Sequence, residues 1–279
     1  MSQQWGRHAV DLGPDVTVKR FAGKHPEQRP GSAAQREWQA LTLIERYAPG
    51  LAPAPVRLDL DGPEPSVTMS RLAGTPLRGI RVSAAQRTAM AGALTALHAA
   101  IPPGELARLP LRLGHQRLEA GSLLAWAGAP PPGRVPGPLI TQAIRAGLDW
   151  LARSGLAAGA GELDVPPVLG QGDGNLENFL WDGTRVRVVD FEYSGRSDRA
   201  FELADVTEHV SCWVDTEFDA AAFLDCFDLS PAETARLREC RRLFALCWLK
   251  LLLLQDPPHP RNPPGTVERQ AQRVLDRLG

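Results

Sequence analysis

The run Gly170-Gln171-Gly172-Asp173-Gly174-Asn175-Leu176-Glu177-Asn178 is followed by Val188-Val189-Asp190-Phe191-Glu192. It places a carboxylate, an amide five residues on, and a second carboxylate behind an apolar strand. Those residue types suit Mg²⁺-dependent phosphoryl transfer. Such chemistry needs one group that orients an attacking hydroxyl and takes its proton, and oxygen ligands that hold metal against nucleotide phosphates. Asp173 suits the first task, and Asn178 and Asp190 suit the second. Gly172-Asp173-Gly174 by itself reads as a surface turn, because Gly, Asp and Asn dominate turns. The step to Asn178, then a hairpin, then a strand ending in Asp190, sets this stretch apart.

The elements that must carry these groups are legible nearby. Val165-Pro166-Pro167-Val168-Leu169 reads as a short extended segment running into a glycine-rich loop. Phe179-Leu180-Trp181, the turn Asp182-Gly183, and Arg185-Val186-Arg187-Val188-Val189 read as a β-hairpin that returns Asp190 toward that loop. Toward the N-terminus, His8 to Leu12 and Asp15 to Phe21 read as strands joined at Gly13-Pro14. A polar loop from Ala22 to Gly31 leads to a helix over Ser32 to Tyr47, with Ser32 as its N-cap. Pro55 to Leu60 and Ser66 to Met69 read as two more strands around Asp61-Gly62. The remainder reads as mostly helical: 83–100, 118–126, 139–154, 201–214, 218–227, 232–254 and 267–278. Pro/Gly-rich breaks fall at 128–138 and 256–265.

At Gln171-Gly172-Asp173, Asn178 and Asp190 the chain resembles the aminoglycoside phosphotransferase and related small-molecule kinase family. That family's signature is His-Gly-Asp, four residues, Asn, and later an Asp at the end of a strand. The resemblance implies an α+β, bilobal protein-kinase-like fold. Residues 1–71 form a small β-rich nucleotide-binding lobe, reduced at its start, and 72–279 a larger, mostly helical catalytic lobe. It implies that the γ-phosphate of ATP or GTP passes to a hydroxyl of a small molecule, with an aminoglycoside-type antibiotic among the candidates. Asp173 is then the catalytic base, and Asn178 and Asp190 the Mg²⁺ ligands. Gln171 stands where the family usually has the His that braces the loop; Gln also donates and accepts.

By the same resemblance Lys19 contacts the nucleotide phosphates and Glu37 holds it, with Arg20 competing on the opposite strand face. Backbone groups of Ser70 to Leu72 meet the purine edge, and Asp198 supports the catalytic loop. His98 is read as structural, a satisfied histidine near a helix end and not a catalyst. The acidic series Asp198, Glu202, Asp205, Glu208, Asp215, Glu217 and Asp219 would suit a polycationic acceptor, with Glu202 and Asp205 as candidate substrate contacts, or else a solvated helix face. Only one strand, His8 to Leu12, is evident ahead of the Lys19 strand, and Gly6 is the lone glycine upstream of it. A full glycine-rich phosphate loop is therefore not expected, unless the true start lies further upstream.

Bulk properties narrow the class. The chain has 279 residues, 43% of them hydrophobic, enough for two modest lobes. A net charge of -1 gives no basic field to attract nucleic acid. The start, Met1 to Arg7, does not read as a signal peptide, and Leu243 to Leu254 contains Lys250 and is too short to span a bilayer. Cys212, Cys226, Cys240 and Cys247 have no metal-ligand spacing, so a cytoplasmic location is expected. The competing function is a degenerate kinase fold that binds a nucleotide or partner without turnover. Gln171 and the short start favour it, and the retained Asp173, Asn178 and Asp190 oppose it. A protein kinase does not fit: the chain lacks a His-Arg-Asp loop, a Phe-Gly after Asp190 and an Ala-Pro-Glu segment.

Overall fold

In the computed structural model the described residues are 2–3, 8–21, 30–61, 64–126, 136–254 and 262–279. Gly6, Gly62, most of the polar loop at 22–31, and most of the breaks at 128–138 and 256–265 lie outside them. An antiparallel sheet takes the order β1-β2-β3-β5-β4, from β1 (Ser2–Gln3), β2 (Ala9–Leu12), β3 (Val16–Arg20), β4 (Pro55–Asp59) and β5 (Ser66–Ser70). Alternation sets its faces: Val67 and Met69 on β5 are buried while their neighbours are not. In register, Lys19 lies opposite Val10 on one side and Val67 on the other. The sheet corrects the single strand expected ahead of β3. Ser2 pairs with Asp11 and Gln3 with Val10, a two-residue strand too short to leave a periodic signal.

α1 (Pro30–Tyr47) packs on this sheet through buried Leu41 and Ile44 and carries buried Glu37. It begins two residues before Ser32, so Ser32 is inside the helix and not its cap. Proline is favoured in the first turn because its missing N–H is unpaired there anyway.

The rest is mostly helical: α2 (Ala84–Ala100), α3 (Pro103–Leu106), α4 (Gln116–Trp126), α5 (Pro138–Ser154), α6 (Arg199–Glu208), α7 (Ala220–Leu224), α8 (Pro231–Leu253) and α9 (Thr266–Leu278). Local chemistry starts and stops them. Ser83 and Ser230 form capping boxes with Gln86 and Glu233, and Gly155, at φ 71°, ends α5. The helix expected over 201–214 ends at Glu208 and is followed by a single tight turn at Val210–Cys212; that over 218–227 shrinks to α7. Two small sheets complete the fold among the described residues. β7 (Pro167–Gly170) pairs with β10 (Gly195–Asp198). The hairpin of β8 (Phe179–Trp181) and β9 (Val186–Val188) adds β6 (Thr75–Pro76) at its edge.

The α+β architecture expected from sequence is thus present, a small sheet region joined to a larger helical one. No helix among the described residues is long and apolar enough to cross a membrane. Cys212, Cys240 and Cys247 are buried as small apolar groups, whereas Cys226 is exposed.

Two buried ionisable groups in the helical region bear on stability. Glu208, fully buried at the end of α6, accepts from Arg241 at 2.7 Å, Arg273 at 2.7 Å and Arg277 at 2.8 Å, tying α6 to α8 and α9. Glu208→Ala leaves that arginine cluster without its counter-charge, and urea unfolding should show a loss of about 3 kcal/mol. His98, expected to be satisfied, is buried on α2 with no hydrogen-bond partner for either ring nitrogen among the described residues, and burial pushes its pKa down from 6.5 to about 4. An unfolded histidine takes up a proton near pH 6.5 while the folded one does not until about 4, so the unfolded state binds more protons between those values. Stability contributed by neutral His98 is therefore present above pH 6.5 and lost as pH falls toward 4. In His98→Leu the slope of unfolding free energy against pH across that window should be shallower, as read by urea melts at a series of pH values.

Candidate functional site

The loop after β7 runs so close to its neighbours that glycine is required. At Gly172, with φ 92°, a Cβ would lie 2.7 Å from the Tyr193 backbone; at Gly174 it would lie 2.5 Å from the Asp205 carbonyl. Pinned between the Tyr193 backbone and α6, the loop holds its polar side chains in defined places. Asp173 Oδ1 accepts from the Asn175 N–H at 3.1 Å, and Asn175 caps the short turn Leu176–Asn178. Asn178 Nδ2 donates to the Asp173 carbonyl at 3.3 Å, which leaves Asn178 Oδ1 for another partner. The Asn178 carbonyl accepts from Val189 N–H at 3.0 Å, joining the loop to the residue before Asp190.

Gln171 makes the second join. Its Nε2 donates to the carbonyls of Val189 (3.1 Å) and Asp190 (2.6 Å), and its Oε1 accepts from the Asp173 N–H at 2.7 Å. One amide thus ties Asp173 to Asp190. Asp190 is the only non-glycine at positive φ among the described residues, at 65°, a conformation Asp tolerates better than most side chains. Burial and the nearby Asp190 charge raise the pKa of Asp173 to about 6, against the opposing hydrogen bonds from Asn178 and Asn175. A carboxylate with that pKa is a proton acceptor matched to neutral pH.

Lys19 stands across from this loop. Its ammonium lies 2.7 Å from Glu37, 2.5 Å from Asp190 and 2.8 Å from Glu192. Arg20 points the other way and pairs with Asp11, so of the two competitors Lys19 faces the site. His8 Nε2 sits 2.8 Å from Glu192. Burial opposes the Lys19 charge, but the three carboxylates outweigh it and raise its pKa well above the usual value. Burial also pushes Glu37 up, to about 7, whereas Lys19 and His8 hold Glu192 well below the usual carboxylate range despite its burial. Glu37, Asp190 and Glu192 have metal-like spacing, but the Lys19 ammonium already binds all three and serves as their counter-cation.

Glu202 and Asp205, the candidate substrate contacts, are not exposed to solvent. Both are buried, and both pair at 2.8 Å with buried Arg112. Arg112 also donates to the Gly172 carbonyl at 2.9 Å, while Glu202 accepts from the Gly172 N–H at 3.2 Å. These carboxylates hold the loop; burying a charge requires such a partner, and the arginine supplies it. Asp198 caps α6 by accepting from Phe201 N–H at 2.9 Å, and pairs with Arg236 at 2.5 Å. The segment Ser70 to Leu72 is partly committed as well. Ser70 N–H donates to the Ala54 carbonyl and Arg71 N–H to the Asp15 carbonyl, so two of the backbone groups expected at the purine edge already have partners beside the sheet.

The phosphotransferase enzyme family matches residues 9–240. The chain belongs to that family. No curated protein matches it. Among solved structures, a choline/ethanolamine kinase family protein from Mesorhizobium loti aligns at a TM-score of 0.66 and 18% identity, over 100% of this chain and 88% of that one. Aminoglycoside 2'-phosphotransferase-IIIa in its GDP complex aligns at 0.64 and 13%, over 99% and 90%. Spectinomycin phosphotransferase with ADP and spectinomycin aligns at 0.63 and 10%, over 100% and 91%. At such identities these likenesses speak for the fold alone.

Within the phosphotransferase fold, sequence reasoning missed Arg112, Glu192 and His209 as members of the site. Arg112 lies on an irregular stretch and meets Glu202 ninety residues on, so no local pattern marks it. His209, buried after α6, places Nε2 3.7 Å from Asp173 Oδ1, also across a long sequence gap.

Gln171→Ala removes three hydrogen bonds at once and should cost about 2–4 kcal/mol in denaturant unfolding. Gln171→His, which restores a ring donor and acceptor, should recover part of that loss, read in the same melts.

Proposed function

We propose that this phosphotransferase is a small-molecule kinase that moves the γ-phosphoryl group of ATP or GTP to a hydroxyl. The observation that carries the reading is the Gln171 bridge, which holds Asp173 and Asp190 in one rigid unit although Gln replaces the family's usual His. A brace kept by a different side chain favours an active site over a degenerate fold. In this reading residues 1–71 form the nucleotide-binding lobe and 72–279 the catalytic lobe. The cytoplasm remains the expected compartment, supported by the free cysteines.

Asp173 receives the proton of the attacking hydroxyl, which it orients. Lys19, held by Glu37, meets the nucleotide phosphates, and Leu72 with the carbonyls of Ser70 and Arg71 faces the purine. The donor set fits Mg²⁺: Asn178 Oδ1 and the Asp190 carboxylate are hard oxygen ligands, and Asn178 Nδ2 is turned away to the Asp173 carbonyl. When bound, the metal supplies charge neutralisation at the phosphates. Nucleotide entry requires Lys19 to exchange Asp190 for phosphate, since its ammonium now lies 2.5 Å from that carboxylate. Glu37 keeps the lysine in place through the exchange.

For the acceptor, the aminoglycoside-type reading loses Glu202, Asp205 and Glu208, which are committed to arginines. Glu177, on the loop itself, is linked to Asp215 through Arg78, at 3.3 and 3.0 Å. A small hydroxyl compound, whether amino-alcohol or antibiotic, is therefore the proposed acceptor class.

Calorimetry with MgATP and MgGTP should detect binding by the wild type, and Asp173→Ala should keep it. Transfer to a panel of hydroxyl compounds should fall at least roughly 1,000-fold in that variant. Absence of Mg²⁺-dependent nucleotide binding by the wild type would end the kinase reading.

A further inference from the structure

His209 sits beside Asp173 in a geometry that assigns it one task. Its Nδ1 accepts from the Ser211 N–H at 3.1 Å and faces Ser211 Oγ at 2.7 Å. Ser211 Oγ itself accepts from the Leu176 N–H at 3.0 Å, which leaves its own proton for Nδ1. A ring nitrogen that receives an N–H and an O–H carries no proton, so the neutral ring holds its proton on Nε2. The backbone of the Asp173 loop, through Leu176 and Ser211, thereby fixes the tautomer. The Trp248 ring packs edge-on at 4.5 Å and holds the imidazole plane. Burial, helped by the charge of Arg78, lowers the His209 pKa to about 3, so the ring stays neutral.

Nε2 lies 3.7 Å from Asp173 Oδ1, too far for a hydrogen bond between them. An oxygen atom at about 2.8 Å from each would bridge the gap. Resting on the kinase reading above, we propose that His209 positions the acceptor: the hydroxyl oxygen accepts from Nε2–H and donates its proton to Asp173. One lone pair of that oxygen meets His209, and the other attacks the γ-phosphorus. The bond from phosphorus to the β–γ bridging oxygen breaks, the nucleoside diphosphate leaves with the electron pair, and the hydroxyl proton passes to Asp173. His209 keeps its proton throughout. The arrangement also selects the acceptor atom. An N–H donor at this place welcomes an oxygen lone pair and repels an ammonium group, so a compound bearing both is phosphorylated on oxygen.

Water is the smallest such hydroxyl, so the test uses phosphate release from MgATP and from MgGTP with no other acceptor present. His209→Leu should lower kcat roughly 10- to 100-fold with the nucleotide KM unchanged. His209→Gln, which keeps an N–H donor, should recover most of that loss. Nuclear magnetic resonance of ¹⁵N-histidine protein at pH 7 should show His209 as the Nε2–H tautomer, and this readout decides the matter if His209→Leu does not fold. An unchanged kcat in a folded His209→Leu, an Nδ1–H or doubly protonated ring, or a wild type that binds MgATP yet releases no phosphate would each overturn the proposal. A wild type that binds neither nucleotide overturns the kinase reading itself.

Discussion

The site hangs on Arg112. Its guanidinium is buried and donates to the Gly172 carbonyl, to Glu202 and to Asp205, while Glu202 takes the Gly172 N–H. Gly172 is therefore gripped at both its backbone groups by α6 and by the arginine that α6 neutralises. Such a network adds little net stability, because removing these charges from water costs several kcal/mol for each ion. What it provides is a single allowed position for the residue next to Asp173. The Gly174 approach to the Asp205 carbonyl follows from the same contact.

From that anchor, position passes outward along hydrogen bonds. Gln171 carries it to Asp190, the Asn178 carbonyl carries it to Val189, and Leu176 carries it through Ser211 to His209. Asp173, Asn178, Asp190 and His209 are thus each tied to backbone within a few bonds of Arg112. Placement to within a fraction of an ångström is what a transfer chemistry built on orientation requires.

The Lys19 cluster has a different character. One ammonium holds Glu37, Asp190 and Glu192 together, an excess of negative charge around a single cation. An anionic ligand would have to enter together with further positive charge, as the proposed nucleotide and metal would. The site is arranged to be completed rather than complete in itself. The acidic residues of α6 illustrate the opposite case. Glu202, Asp205 and Glu208 look like a substrate-facing series in one dimension, yet each is buried and paired with arginines from elsewhere.

The chain's local sequence was enough to read the Asp173 loop, the Asp182-Gly183 hairpin, the long helices and the Lys19 strand, because turn chemistry, caps and periodicity act over a few residues. The family resemblance carried by Asp173, Asn178 and Asp190 added Lys19 and Glu37 to them as expected partners. Local sequence could not reveal Ser2–Gln3, Thr75–Pro76 or Gly195–Asp198 as strands, since each is two to four residues long and exists only through a partner. Nor could it reveal that Arg112 turns Glu202 and Asp205 inward, that Ser70 spends its N–H on Ala54, or that His209 reaches Asp173. Those facts depend on segments up to ninety-three residues apart meeting in space, as Arg112 and Asp205 do. Residue type and spacing determined which chemistry the chain can perform; burial and long-range pairing, decided only in the folded molecule, determined which carboxylates are free to take part in it.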